Sequence, residues 1–246
     1  MVDINEELQR EVDADIKLEL ESRVTGLREE KVSDLLFRDL PDVKEEKVFK
    51  GFTEEENQRG RDLEQAAKLI IKALGEDITA VGLRDTPRRF REMFMEDFWP
   101  GESLDVVLGE MVMDESFDQM IIVKDIPIRS HCEHHILPWW GKVCLGYIPH
   151  AKTVGLSKMT RMVDAAGKGL TIQERVTDQI AQSMNRVLDP TGVMVVVEAV
   201  HMCTLLRGVK TEMQKFTTST AKGVFLTNAA PRQEFLTLFA KNGNLI

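Results

Sequence analysis

Apolar residues recur at Ile4, Leu8, Val12 and Ile16 at the start of the chain, with charge-dense positions between them. A four-residue spacing drifts around a helix, so residues 1–53 read as an acidic extension, marginally helical or a solvated tail. From Glu54 the pattern firms. Leu63, Ala66, Ala67, Ile70 and Leu74 recur at helical spacing, with Gly75 placed as the C′ residue. Asp85-Thr86-Pro87 announces a second helix, with Thr86 as N-cap and Pro87 at the first helical position. These segments predict a helical lead-in over residues 54–100. Beyond Pro100 the period shortens. QMIIVKDIPIRS (119–130) and GKVCLGYIP (141–149) are rich in β-branched and aromatic residues and read as strands. The His-rich segment Cys132–Trp140 lies between them. Helical periodicity returns over residues 156–166 and 172–188, the second segment carrying Ile172, Val176, Ile180 and Val187. Asp189-Pro190-Thr191-Gly192 is a turn signal. Strands follow at 193–203 and 216–226, then a short C-terminal helix over about 231–241. The order β-β-α-α-β-β, with near neighbours joined, predicts an α+β core over residues 115–228: an antiparallel sheet with helices on one face.

Composition agrees with a folded domain. Of 246 residues, 43% are hydrophobic and 30% charged, enough apolar material for a core. No apolar run approaches the roughly 18 residues of a membrane span; the stretch from Val193 is broken by Glu198. The N-terminus is acidic from Asp3, unlike a signal or transit peptide. The expectation is a soluble, cytoplasmic protein. Cys132, Cys144 and Cys203 cannot all pair, which favours metal binding or burial over disulfides.

The net charge of -9 argues against a nucleic-acid surface. Its distribution refines that. Residues 1–60 hold 18 acidic and 10 basic side chains, and the remainder is balanced to within one charge. A basic pocket for an anionic small molecule is compatible with the rest of the chain.

The densest chemistry is Ser130-His131-Cys132-Glu133-His134-His135. Cys132 and His135 have the spacing of a two-ligand zinc clip. Further ligands must come from His150, Cys144, His201 or Cys203. His201 and Cys203 alternate onto one face of their strand, so a Cys132/His135/Cys203 site leaves the fourth position open for water, as in catalytic zinc sites. His134 and His201 then flank the metal, available for proton transfer. Cys144, between Val143 and Leu145, reads as an inert core thiol; His131 and His150 read as surface or supporting groups, and Trp139-Trp140 as packing or subunit contact. Ser157, Lys158 and Arg161 cluster at a helix start, a plausible anion site. Arg207 and the pair Arg88/Arg89 add cations.

CEHHILP (132–138), GLSKMTRMVD (155–164), IQERVTDQI (172–180), VEAVHMCTLLRGV (197–209) and TTST (217–220) resemble, in order and spacing, the GTP cyclohydrolase I family of the Cys/His/Cys zinc type. The resemblance covers residues 60–240. It implies the tunnelling fold, whose subunits join their sheets into a barrel, and a homodecamer with active sites at subunit interfaces. By position, Cys132, His135 and Cys203 match the zinc ligands, and His134 and His201 the catalytic histidines. Glu174, with Gln173 beside it, matches the guanine anchor. Ser157, Lys158, Arg161 and Arg207 match groups near the ribose and triphosphate, and Arg89 the arginine of the family's TPxR motif. The implied reaction is zinc-assisted hydrolysis of GTP at C8 of guanine, giving formate and 7,8-dihydroneopterin triphosphate, which feeds folate, tetrahydrobiopterin or 7-deazaguanine (queuosine) synthesis. Two positions depart from the pattern. Glu92 stands where a basic residue is common, and Lys168-Gly169 where Arg-Arg is common; both touch the triphosphate surroundings.

Two rival readings are a zinc deaminase and a non-catalytic homologue. His131-Cys132-Glu133 satisfies the H-x-E of the first, but the P-C-x-x-C segment is missing. Retention of both non-ligand histidines together with Glu174 argues against the second.

Overall fold

The computed structural model describes residues 52–115 and 117–240. The expected acidic extension falls almost wholly outside them. Contacts divide the chain into two compact units, Met1–Arg91 and Glu92–Ile246.

In the first unit, helix α1 (Glu54–Ala73) opens on a reciprocal cap: the Glu56 N–H donates to Thr53 Oγ1 and the Thr53 N–H to the Glu56 carboxylate. It closes as expected at Gly75, whose φ is 78°. The Gly75 N–H donates to Lys72 O and the Glu76 N–H to Ile71 O, the paired bonds of a Schellman end. The buried face differs from the apolar stripe in the sequence. Asn57, Gly60, Glu64, Ala67, Lys68 and Ile71 are buried, while Ile70 and Leu74 are 52% and 73% exposed. Charge pairing explains how this polar face is tolerated. Glu64 lies 2.9 Å from Arg91 Nη1 and 3.6 Å from Lys68 Nζ, all three side chains nearly inaccessible. Helix α2 (Thr86–Asp97) starts one residue earlier than predicted. The Asp85 carbonyl accepts the Arg89 N–H at 3.1 Å, so Thr86 is already helical and is not the cap.

The second unit carries the sheet. Helix α3 (Leu104–Gly109), absent from the sequence reading, is capped by Ser103. Strand β1 (Val112–Met113) pairs with β4 (Thr153–Val154) in a small ribbon. The larger sheet contains β2 (Ile121–Cys132), β3 (Pro138–Ile148), β5 (Leu170–Thr171), β6 (Gly192–His201) and β7 (Lys215–Gly223), in the order β5-β2-β3-β6-β7. All pairings are antiparallel except the short β2–β5 contact. Helices α4 (Leu156–Ala166) and α5 (Gln173–Leu188) come between the two strand pairs, giving the expected β-β-α-α-β-β order in an α+β fold.

Strand β6 shows how the layers form. Val193, Val195, Val197 and Ala199 cluster with Met159, Met162 and Val163 of α4 and with Val176, Ile180 and Met184 of α5. The alternate residues Met194 and Val196 join Cys144 in a second cluster with Phe225 and Phe235. Those two phenylalanines come from α7 (Val224–Thr227) and α8 (Ala229–Ala240). The paired central helices thus cover one face and the C-terminal segment packs on the other, so β6 is apolar at nearly every position. The predicted strand 193–203 ends at His201. Residues 202–205 turn into the short helix α6 (Met202–Leu205), so Cys203 does not lie on the strand. Likewise the strand predicted over 216–226 ends at Gly223. No helix among the described residues is long and apolar enough to cross a membrane.

Candidate metal centre and active site

Two chain reversals build the site. Strand β2 ends at Cys132, and a tight turn leads into β3. The Cys132 N–H donates to Leu137 O and the Ile136 N–H to Cys132 O, with Ile136 at φ 53°. This turn carries the exposed His134 and His135 beside the buried Cys132. On the neighbouring pair of strands, β3 and β6 are in register with Trp139 opposite His201. The turn into α6 then brings Cys203 back. One ligand atom each from Cys132, His135 and Cys203 lies within 4.8 Å of the others, and Cys132 Sγ is 3.9 Å from His135 Nδ1. Burial, and next the neighbouring Cys132, pushes the Cys203 thiol above its ordinary range. Two sulfurs and an imidazole at this separation can hold a metal ion, and that donor set suits a borderline-soft cation such as zinc over magnesium or calcium.

A pocket of about 310 Å³ opens on this cluster. Cys132 and Cys203 line it, together with His134, His201, Glu174, Gln173, Phe216 and Thr218. Glu174 occupies the first turn of α5 and is exposed, where the helix dipole favours its negative charge. Burial depresses the His201 imidazole, and the Glu174 charge pulls weakly the other way. Beside the pocket, Arg175 pairs with Glu133 at 2.8 Å and holds that carboxyl below its usual range. The residue between Cys132 and His134 is thereby tied to the start of α5.

The remaining predicted residues are placed differently. Arg207 is exposed and donates from Nη1 to His135 Nε2 at 2.9 Å, so it sits beside the Cys/His/Cys group. Ser157, Lys158 and Arg161 lie on α4 and do not line the pocket; Lys158 is paired with Glu110. Arg89 belongs to the first unit, at the start of α2. Cys144 is buried in the second cluster, its thiol pushed up to about 12 by burial, in keeping with an inert core thiol. His131 is not a surface group. It is 4% exposed, stacked on Phe94 at 5.1 Å and met edge-on by Phe98 at 3.9 Å. Sequence reasoning missed Trp139 and Phe216 as neighbours of His201. Their rings lie 5.3 and 5.4 Å from its own. Only the strand register, which brings Trp139 opposite His201, carries that signal.

Known proteins resemble this chain in sequence. The sequence profile described as GTP cyclohydrolase I matches residues 63–240. The GTP cyclohydrolase 1 of Saccharomyces cerevisiae is 41% identical over 190 residues, covering 76% of this chain and 78% of its own. That of Bacillus subtilis is 44% identical over 180 residues, covering 71% of this chain and 92% of its own. That of Homo sapiens is 44% identical over 189 residues, covering 76% and 75%. With the profile spanning most of the length, and with relatives this similar over most of both partners, the chain belongs to the GTP cyclohydrolase I family.

Proposed function

We propose that the chain hydrolyses GTP to 7,8-dihydroneopterin triphosphate and formate at the pocket lined by Cys132, His134, Glu174, His201 and Cys203. The supporting observation is the convergence itself: one cavity is lined by the two cysteines of the Cys/His/Cys donor set, by His134 and His201, and by the exposed carboxylate of Glu174. Cys132, His135 and Cys203 would hold a zinc ion, which when bound would supply the Lewis acidity that makes water nucleophilic at neutral pH. The rest is the work of side chains. Glu174 accepts from the N1–H and exocyclic amine of guanine, donors that adenine does not present in that arrangement. It thereby sets the imidazole ring of the base over the cluster. His134 and His201 give and take the protons needed for ring opening and for release of formate. Ribose rearrangement and reclosure then yield the pterin.

The same reading assigns Ser157, Lys158, Arg161, Arg207 and Arg89 to the ribose and triphosphate. The α4 residues do not line the pocket of their own chain, which suits a homo-oligomer, read as a decamer, whose sites are completed by a second subunit. Strand β7 lies at an edge of the sheet, open to pairing with another copy. We place the domain boundary at residues 53 and 54 and the enzyme in the cytoplasm, in pterin and folate or 7-deazaguanine synthesis. Removing residues 1–50 is expected to leave assembly and turnover intact, which light scattering and formate release check together.

Incubation of the pure protein with GTP tests the activity. Formate and a pterin that fluoresces after oxidation are expected. Xanthosine triphosphate would mean deamination, and no product a non-catalytic relative.

A further inference from the structure

We infer that Gln173 is a positioning residue: its side-chain amide fixes the orientation and tautomer of His201 and does not itself hold the substrate. This rests on the reading of the pocket as the site of GTP hydrolysis. The resemblance groups Gln173 with the guanine anchor Glu174, but the two adjacent side chains have different surroundings. Glu174 is exposed, whereas Gln173 is 3% exposed and its polar atoms are committed inside the protein.

The amide group can face only one way. Gln173 Nε2 lies 3.0 Å from Val197 O, 3.0 Å from Phe216 O and 3.1 Å from Thr218 Oγ1. Exchanging the nitrogen and oxygen would aim Oε1 at two carbonyl oxygens, none of which can donate. Oε1 therefore faces His201 Nε2, at 2.8 Å. An amide oxygen only accepts, so His201 Nε2 carries the proton and donates. Nδ1 is then the ring nitrogen left to exchange a proton with a reacting group.

The glutamine is locked from three elements. Thr177 on α5 donates its hydroxyl to Gln173 O at 2.8 Å. With that proton committed, Thr218 on β7 donates to Thr177 Oγ1 at 2.6 Å, and Thr218 Oγ1 in turn accepts from Gln173 Nε2. The loop of bonds closes on Gln173. Val197 O of β6 and Phe216 O of β7 share the amide's other N–H. His201 is also fixed by rings, with Trp139 stacked at 5.3 Å and Phe216 edge-on at 5.4 Å. A proton-transfer group held within narrow angular limits is what such a shell provides.

A double-mutant cycle tests this. Gln173→Ala is expected to retain zinc and to keep KM for GTP within about threefold, while kcat falls about 10- to 100-fold, as for loss of an oriented acid–base group. On a His201→Ala background the same substitution is expected to change kcat less than about twofold, because the group it positions is gone. Gln173→Met, which keeps the volume and removes the acceptor, repeats the cycle if the alanine variant does not fold. A rise in KM with kcat held would overturn the inference by showing that the side chain binds substrate. So would an equal loss of kcat on both backgrounds. Formate release by the unmodified protein is scored separately, so failure of the activity is distinguishable from failure of the positioning role. Nitrogen-15 spectra of the imidazoles, with His201 assigned by its alanine variant, give a readout independent of turnover. The Nε2–H tautomer is expected in the native protein and a mixture in Gln173→Ala; a native Nδ1–H tautomer would refute the assignment.

Discussion

The indole of Trp139 lies nearly parallel to the imidazole of His201, ring centroids 5.3 Å apart and planes 15° from one another. The pairing of β3 with β6 places these residues directly opposite, so both side chains rise from the same face. The indole N–H donates to Thr171 Oγ1 at 3.2 Å, and Thr171 is itself bonded to Ser130 at 2.7 Å. Trp139 is fully buried. Trp139→Phe keeps a ring beneath His201 but gives up that hydrogen bond, and is expected to cost about 0.5–1.5 kcal/mol. Trp139→Ala opens a cavity and is expected to cost about 3–5 kcal/mol. Urea unfolding separates them; equal midpoints for the two variants would mean that the indole contributes no packing here.

The β-β-α-α-β-β order was legible because the long strands and the two central helices each carry their own period. Val193 to Ala199 alternates between two covered faces, and the central helices repeat apolar residues at three- and four-residue steps. The Cys/His/Cys donor group was legible because Cys132, His135 and Cys203 are scarce residue types, and the structure brings their ligand atoms together. What could not be read depends on long-range partners. Nothing local marks Glu64 and Lys68 for burial; Arg91, on another helix, makes it tolerable. The α6 turn that carries Cys203 is only four residues long, too short for any periodicity. Gln173 and Glu174 are adjacent polar residues, and only the contacts made by β6 and β7 distinguish the internal one from the exposed one.

Metal content separates the three cysteines. Cys132→Ala, His135→Ala and Cys203→Ala are each expected to lose bound zinc and turnover together. Cys144→Ala is expected to keep both, since that thiol sits in the second apolar cluster, away from the donor set. With its thiol pushed up to about 12, Cys144 should resist alkylation at pH 8 until the protein unfolds. Elemental analysis of the four variants decides the first point. Full zinc in Cys203→Ala would remove Cys203 from the ligand set.

Arg186 and Asp105 tie the last turn of α5 to the first turn of α3 through two bonds of 2.9 Å. The Arg186 hydrogen bond is the main reason the Asp105 carboxyl sits below its ordinary range. A carboxylate depressed in the folded state contributes its full stabilisation above the unfolded value of about 3.9 and loses it as pH falls through the native value. Both side chains are roughly half exposed, which limits the pair to about 0.2–1 kcal/mol. Asp105→Asn should therefore be less stable by that amount at pH 7, and less so in high salt. The difference should vanish at strongly acidic pH, where the native carboxyl is protonated as well. A deficit that stays constant across the acid range would assign the effect to packing instead of charge.

His134 and Glu174 line the same pocket but should fail in opposite ways. His134 is not in the Cys/His/Cys group, so His134→Ala is expected to retain zinc and guanine binding. As a proton-transfer group its loss should appear in kcat, about 10²–10⁴-fold, with KM little changed. His201→Ala should share that signature. Glu174→Gln replaces an acceptor-only carboxylate with an amide that presents one acceptor and one donor, so one of guanine's two N–H groups meets an N–H. That mismatch weakens ground-state and transition-state complexes alike, so KM should rise, and preference for guanine over other purines should fall. Metal analysis and steady-state kinetics on the same samples read both signatures. If His201→Ala loses zinc along with turnover, His201 is a ligand, and the separation of metal-holding from proton-moving side chains in this pocket does not hold.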